Sequence, residues 1–151
     1  MAKELDEIFY AALTADETVM TLTQGRIYST CIEVPPTEDD NTPLPYIIIL
    51  DNAYQNDQAT KDNVWESDID RVQASVIISA CSPAEVKQLR RLVRKAIAGY
   101  VISMTDNQPY LTSSSNEGIA WDWMKPCYYD TLHYQCDMEV INDEDDEQEE
   151  S

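Results

Sequence analysis

The sequence predicts an α+β fold: an antiparallel or mixed sheet of four to five strands with two main helices packed on one face. Three observations carry that expectation. Residues 70–80 alternate between apolar and polar side chains, the period of a half-buried strand. The stretch that follows, residues 83–98, changes to the three- and four-residue spacing of a helix with one apolar side. Strand-like runs also succeed one another without intervening helices, which favours an antiparallel sheet with its helices collected on one side.

In chain order, Leu5, Ile8, Phe9, Ala12 and Leu13 form an apolar helical stripe, with Lys3, Glu4, Asp6 and Glu7 outside it. Thr14 and Glu17 match a capping box and Asp16 offers an alternative cap. A short second helix therefore runs to about residue 23, buries Val19, Met20 and Leu22, and ends at Gly25. Arg26-Ile27-Tyr28 begins the first strand. Pro35, Pro36 and Pro43 exclude regular structure between Glu33 and Pro45, which is read as an exposed loop. Tyr46-Ile47-Ile48-Ile49-Leu50 is a short, β-branched apolar run, hence a strand covered on both faces. Residues 51–68 turn polar, as a hairpin arm or a loop, with Trp65 as a candidate contact residue or a cover for a core edge.

In the alternating strand Val72, Ala74, Val76, Ile78 and Ala80 share one face and Arg71, Gln73, Ser75 and Ser79 the other, which only Ile77 interrupts. Ser82 caps the next helix, with Pro83 at its first position. Val86, Leu89, Val93, Ala96, Ile97 and Tyr100 form its core stripe, and Gly99 sits where a C-cap belongs. Residues 104–117 are mostly turn chemistry around a short strand at 109–111, and residues 119–123 alternate as a further strand. The last strand, 128–141, sets Tyr128, Leu132, Tyr134, Cys136, Met138 and Val140 opposite Tyr129, Thr131, His133, Gln135, Asp137 and Glu139. Its length suits the middle of a sheet. Residues 1–141 are read as one domain and residues 142–151 as an acidic, flexible tail.

Charge narrows the function classes. The 151 residues hold 10 Lys+Arg against 29 Asp+Glu, a formal charge of −19. Such a chain repels phosphate backbones, because nucleic-acid affinity comes mostly from cations that neutralise phosphates. At 43% hydrophobic residues the composition is close to the ~45–50% of globular chains, so wholesale disorder is excluded. No apolar run approaches the ~18–20 residues of a membrane span and no charged-then-apolar leader opens the sequence, which predicts a soluble protein made where it works. The acids are unevenly spread: seven lie in residues 142–151. Half of the bases, Lys87, Arg90, Arg91, Arg94 and Lys95, lie on the helix over 83–98, either a solvated face or an interaction surface.

Catalytic and metal chemistry find little footing. Cys31, Cys81, Cys127 and Cys136 form no CxxC pair and read as buried thiols in a reducing cytosol. Cys127, His133 and Cys136 are the only cluster suggesting a metal or a thiol nucleophile, yet His133 and Cys136 point to opposite faces of one strand. Gly25, Gly99 and Gly118 make no phosphate-binding loop. Glu38-Asp39-Asp40 lacks EF-hand spacing for calcium. Ser113-Ser114-Ser115 is read as a turn with no base nearby. No cofactor, metal or catalytic residue is expected, and the chain reads as an interaction protein rather than an enzyme.

The pattern as a whole resembles one family. An N-terminal helix leads into Ala15-Asp16-Glu17-Thr18-Val19-Met20-Thr21-Leu22 and Gly25-Arg26-Ile27-Tyr28. A proline-bearing loop, Pro43-Leu44-Pro45-Tyr46-Ile47-Ile48-Ile49 and the strand–helix unit over 72–98 follow, and an alternating last strand closes the chain. In this order the sequence resembles the tail completion, or tail terminator, proteins of long-tailed bacteriophages over about residues 5–141. The resemblance implies a virion subunit assembled in the host cytoplasm. It implies a ring, usually a hexamer, at the head-proximal end of the tail tube that stops tube growth and joins the head connector. Its partners would be copies of itself, the tail tube protein and a head–tail connector or neck protein, with no membrane and no tight nucleic-acid binding although DNA passes through the ring. Gly25, Arg26, Pro45 and Tyr46 match the family pattern and read as fold determinants. The alternatives are a neck or head-completion ring on the portal side and, more distantly, a small Cys/His hydrolase or metal-binding protein. Within a ring, the cations Lys87, Arg91, Arg94 and Lys95 are expected to face the acids Glu38, Asp39 and Asp40 of a neighbour, with Trp65 as a further contact.

Overall fold

The structure, a computed structural model, describes residues 4–29, 43–56, 69–104 and 109–139, and for residues 52, 53 and 56 the backbone alone. The first helix, α1 (Leu5–Ala15), buries the stripe the spacing predicts: Leu5, Ile8, Phe9, Ala12 and Leu13. Asp6 and Glu7 occupy its first turn, where negative charge complements the helix dipole. In α2 (Glu17–Thr23) the cap is Asp16, whose carboxylate accepts from the Val19 N–H at 3.0 Å. Thr14 is unavailable for that role, because its hydroxyl turns back and donates to the Tyr10 carbonyl at 2.8 Å. Val19 and Thr23 are buried, whereas Met20 and Leu22 are only half-buried. Gln24 and Gly25 take left-handed backbone angles (φ 53° and 77°), and the turn ends the helix as Gly25 suggested.

Among the described residues six strands form the sheet: β1 (Ile27–Ser29), β2 (Tyr46–Asn56), β3 (Ile69–Ala80), β4 (Tyr110–Asn116), β5 (Ala120–Asp122) and β6 (Cys127–Glu139). Their order is β1-β2-β3-β6-β4, with β5 on the remaining stretch of β6. The sheet is mixed, since β1 runs parallel to β2 while the other pairs are antiparallel. A parallel neighbour needs a connection of a dozen or more residues, which residues 30–45 supply in length. The six strands are one or two more than the four to five expected for the sheet, although each strand falls on a run read as strand-like. The real difference is the length of β4: residues taken for turn chemistry extend the short strand expected at 109–111 to seven residues along β6, through a bulge between Leu111 and Ser113. Polar side chains suit that position because an edge strand keeps much of its surface in water. Likewise β2 runs on past Leu50 to Asn56 through an irregularity at Asp51–Tyr54, so the near end of the polar stretch is a hairpin arm.

The long helix α3 (Pro83–Ser103) has Ser82 as its cap, accepting from the Glu85 N–H at 3.3 Å, and Pro83 in its first turn. It does not stop at Gly99. Val101 is buried, so the apolar stripe continues one turn further and outweighs the ~1 kcal/mol cost of an interior glycine. Helices α1 and α3 pack on one sheet face against Ile47, Ile49, Ala74, Val76, Ile78, Leu132, Tyr134 and Cys136. On the opposite face Ile48, Leu50 and Ile77 are half-buried, so β2 is covered fully on one side only.

Candidate functional site

Lys87, Arg91, Arg94 and Lys95 are all exposed, and their spacing puts them on one side of α3. None has an ion-pair partner among the described residues. Arg90, by contrast, reaches across to Asp130 at 2.8 Å. Glu38, Asp39, Asp40 and Trp65 lie outside the described residues, as does Cys31. Because α3 packs on β3 and β6 and leaves the edge strand β4 uncovered, a groove of about 540 Å³ opens between its cationic side and β4. Arg91, Arg94, Lys95 and Ala98 form one wall, and Leu111, Thr112, Ser113 and Ser114 the other. Tyr134 lines it from β6. The ring of Tyr134 meets Phe9 edge-on at 5.0 Å, and its hydroxyl is the one buried side-chain polar atom without a hydrogen-bond partner among the described residues. Burial pushes its ionisation up to about 12, against the opposing pull of the Arg94 charge, so it stays a neutral donor and acceptor.

A second exposed feature lies at the far end of the sheet. The turn between β5 and β6 carries Trp123, 83% exposed, and Met124, 68% exposed. Trp121 holds this tip in place by edge-on contacts to Trp123 (5.7 Å) and to Tyr128 (4.8 Å). The Asp122 carboxylate accepts the Met124 N–H at 2.9 Å and closes the turn. Since Tyr128 pairs with Ala80, which leads directly into α3, the tip and the Lys87 end of the cationic helix share one end of the molecule. Large apolar side chains clustered in water are a mark of contact surfaces.

Neither a family model nor a curated protein matches the sequence. Its fold has solved counterparts. A chain from the virion of native gene transfer agent (GTA) particle is similar over 90% of this chain and 95% of its own, with a TM-score of 0.56 at 18% identity. The bacteriophage SPP1 gp17 protein is similar over 90% and 88%, with a TM-score of 0.53 at 12% identity. At these identities the likeness is one of fold, and it runs nearly end to end in both directions.

The two sharpest motifs of the sequence are joined in space. Arg26 donates through Nε to the Pro45 carbonyl at 3.1 Å and through Nη2 to the Leu44 carbonyl at 3.2 Å. The Ile47 N–H donates to the Arg26 carbonyl at 3.0 Å, and Tyr28 meets Tyr46 edge-on at 6.4 Å. A guanidinium can bind two carbonyls at fixed geometry, so Arg26 fastens the start of β1 to the start of β2.

Cys127, His133 and Cys136 are not brought together. Cys136 is in the core, where burial pushes its thiol up to about 12, and His133 is on the opposite sheet face. Cys127 is also buried, but Cys81 is exposed at the β3–α3 junction, against the expectation of four buried thiols. Sequence reasoning missed the partners of His133. Its Nδ1 lies 2.9 Å from the Ser75 hydroxyl, its Nε2 lies 3.3 Å from Glu117, and Ser115 is its register neighbour on β4. A serine, a histidine and a carboxylate in line suggest a triad, but Ser75 is 3% exposed in the middle of a central strand, beyond reach of a substrate. The chain of bonds instead satisfies a buried hydroxyl. The other missed network centres on Asp130, fully buried, which accepts from Arg90 (2.8 Å), Asn116 (3.0 Å) and the Gly118 N–H (3.0 Å). Only tertiary pairing brings those four residues together.

Proposed function

We propose that this chain is a structural, non-enzymatic subunit of a phage-type virion. In the finer reading it is a tail completion or terminator protein that closes the head-proximal end of a tail tube as a hexameric ring and meets a head connector. The observation that carries the proposal is the near-complete, two-way similarity of fold to a chain of a GTA virion and to a bacteriophage SPP1 protein. It is supported by a surface suited to assembly. Trp123 and Met124 project into water beside the Lys87 end of α3, and a ring contact joins two different patches of the same subunit. Burying a Trp and a Met in a neighbour contributes ~2–3 kcal/mol each, a scale at which loss of one anchor dissolves a modest interface.

The test is native mass. We expect the purified chain to form a ring of about six copies by light scattering and native mass spectrometry, and the pair Trp123→Ser and Met124→Ser to shift it to monomers while leaving its circular dichroism unchanged. A monomeric wild type at high micromolar concentration, or a variant that assembles as the wild type does, would sink the proposal.

A further inference from the structure

We infer that the groove between α3 and β4 is the seat of the chain's own acidic C-terminal segment, residues 143–150, which folds back from the end of β6 onto Arg91, Arg94 and Lys95. Charge is the first argument. Seven of the acids fall within residues 142–151, while the three cations of the groove wall have no ion-pair partner among the described residues. In a chain of −19 the two concentrations of opposite charge attract strongly at low salt.

The path of the chain is the second. β6 is antiparallel to β3, and α3 returns along β3, so the C-terminal ends of α3 and β6 lie at the same end of the sheet. Leu111 in the groove wall pairs with Cys136, which places the last described strand residue, Glu139, ~10 Å past the groove at ~3.3 Å per residue. Residues 140–142 are long enough to turn the chain. The nine residues from 143 onward extend ~30 Å, well beyond the ~10 Å that separates Arg91 from Ala98 along the helix axis. Each contact to an exposed cation is weak in water, but a tether of three residues keeps the segment at millimolar effective concentration, which makes several weak contacts sufficient.

A fluorescent peptide of residues 143–151, followed by anisotropy, tests the seat. A full-length chain with all seven tail carboxylates replaced by their amides has an open groove and is expected to bind the peptide, with affinity falling at least tenfold between low and high salt. The wild-type chain, its groove filled, is expected to bind at least tenfold more weakly. Adding Arg91→Glu and Arg94→Glu to the amide-tailed chain removes binding, and so does the gentler pair Arg91→Gln and Arg94→Gln. Lys87→Glu, outside the groove, leaves binding intact. Equal binding by the wild-type and amide-tailed chains, or binding that survives loss of both arginines, overturns the inference. In co-expressed mixtures, a segment seated on its own chain leaves the amide-tailed subunits open to the peptide; their closure by wild-type neighbours overturns the intramolecular seat. Light scattering on the same samples reports ring formation separately, so a chain that fails to assemble can still show this binding pattern.

Discussion

Asp130 shows how much can depend on a residue whose sequence context looks ordinary. Burial by itself would raise its carboxyl, but hydrogen bonds from Arg90, Asn116 and Gly118, together with the Arg90 charge, hold it below the usual carboxylate range. A depressed carboxyl contributes stability in full above its unfolded value of about 4, and that contribution is lost as pH falls through the folded value. Glu4 and Asp51 behave in the opposite way. Desolvation first, and the repulsion of neighbouring acids after it, raise both, so their part of the stability declines as pH climbs from the ordinary carboxylate value to their raised ones. Asp130→Asn separates the two. It should cost about 3 kcal/mol at neutral pH, because Arg90 loses its counter-charge in a partly buried site. In urea titrations the variant should also lose part of the acid-side decline below pH ~4 that the wild type shows. A loss under ~1 kcal/mol with an unchanged pH profile would show that the network is not structural.

At the scale of elements, α3 is both the core's main lid and the carrier of the cations. Its apolar stripe was plain from spacing, as was its Ser82–Pro83 start, because caps and periodicity are local properties. Its end was not, since Gly99 satisfied the local rule for a stop while Val101 and the sheet beneath it decided otherwise. Gly99 is exposed in the helix with open space where a Cβ would stand. Gly99→Ala should therefore stabilise the chain by about 1 kcal/mol, or roughly 2–4 °C in thermal unfolding. A lower melting temperature would mean that the last turn of α3 is not helical in solution. The edge strand β4 was the element least legible in sequence. Thr112-Ser113-Ser114-Ser115 has neither alternation nor apolar content, and only the ladder with β6 makes it a strand.

For the whole molecule, the distribution of charge matters more than its sum. With 29 acids against 10 bases the chain as a whole is strongly negative, which would suit the proposed ring if DNA passes through it without adhering. Duplex DNA at about 0.15 M salt should give no mobility shift with micromolar protein. A tight, salt-sensitive complex would contradict the conduit reading.

What the amino-acid sequence determined by itself is what depends on neighbours in the chain: the stripes of α1 and α3, the alternation of β3 and β6, the Ser82 cap, and the concentration of acids in residues 142–151. The α+β class follows from these, because an amphipathic helix and a half-apolar strand each need one partner layer. Pairings between distant residues were decided by the tertiary structure alone. They include the parallel register of β1 with β2, the strand character of β4, the burial of Asp130 against Arg90, and the groove that collects Arg91, Arg94 and Tyr134. Such pairings leave no periodic mark, since each joins residues about 20 or more positions apart whose identities local spacing does not link. They form only when the layers close and water is driven from between them.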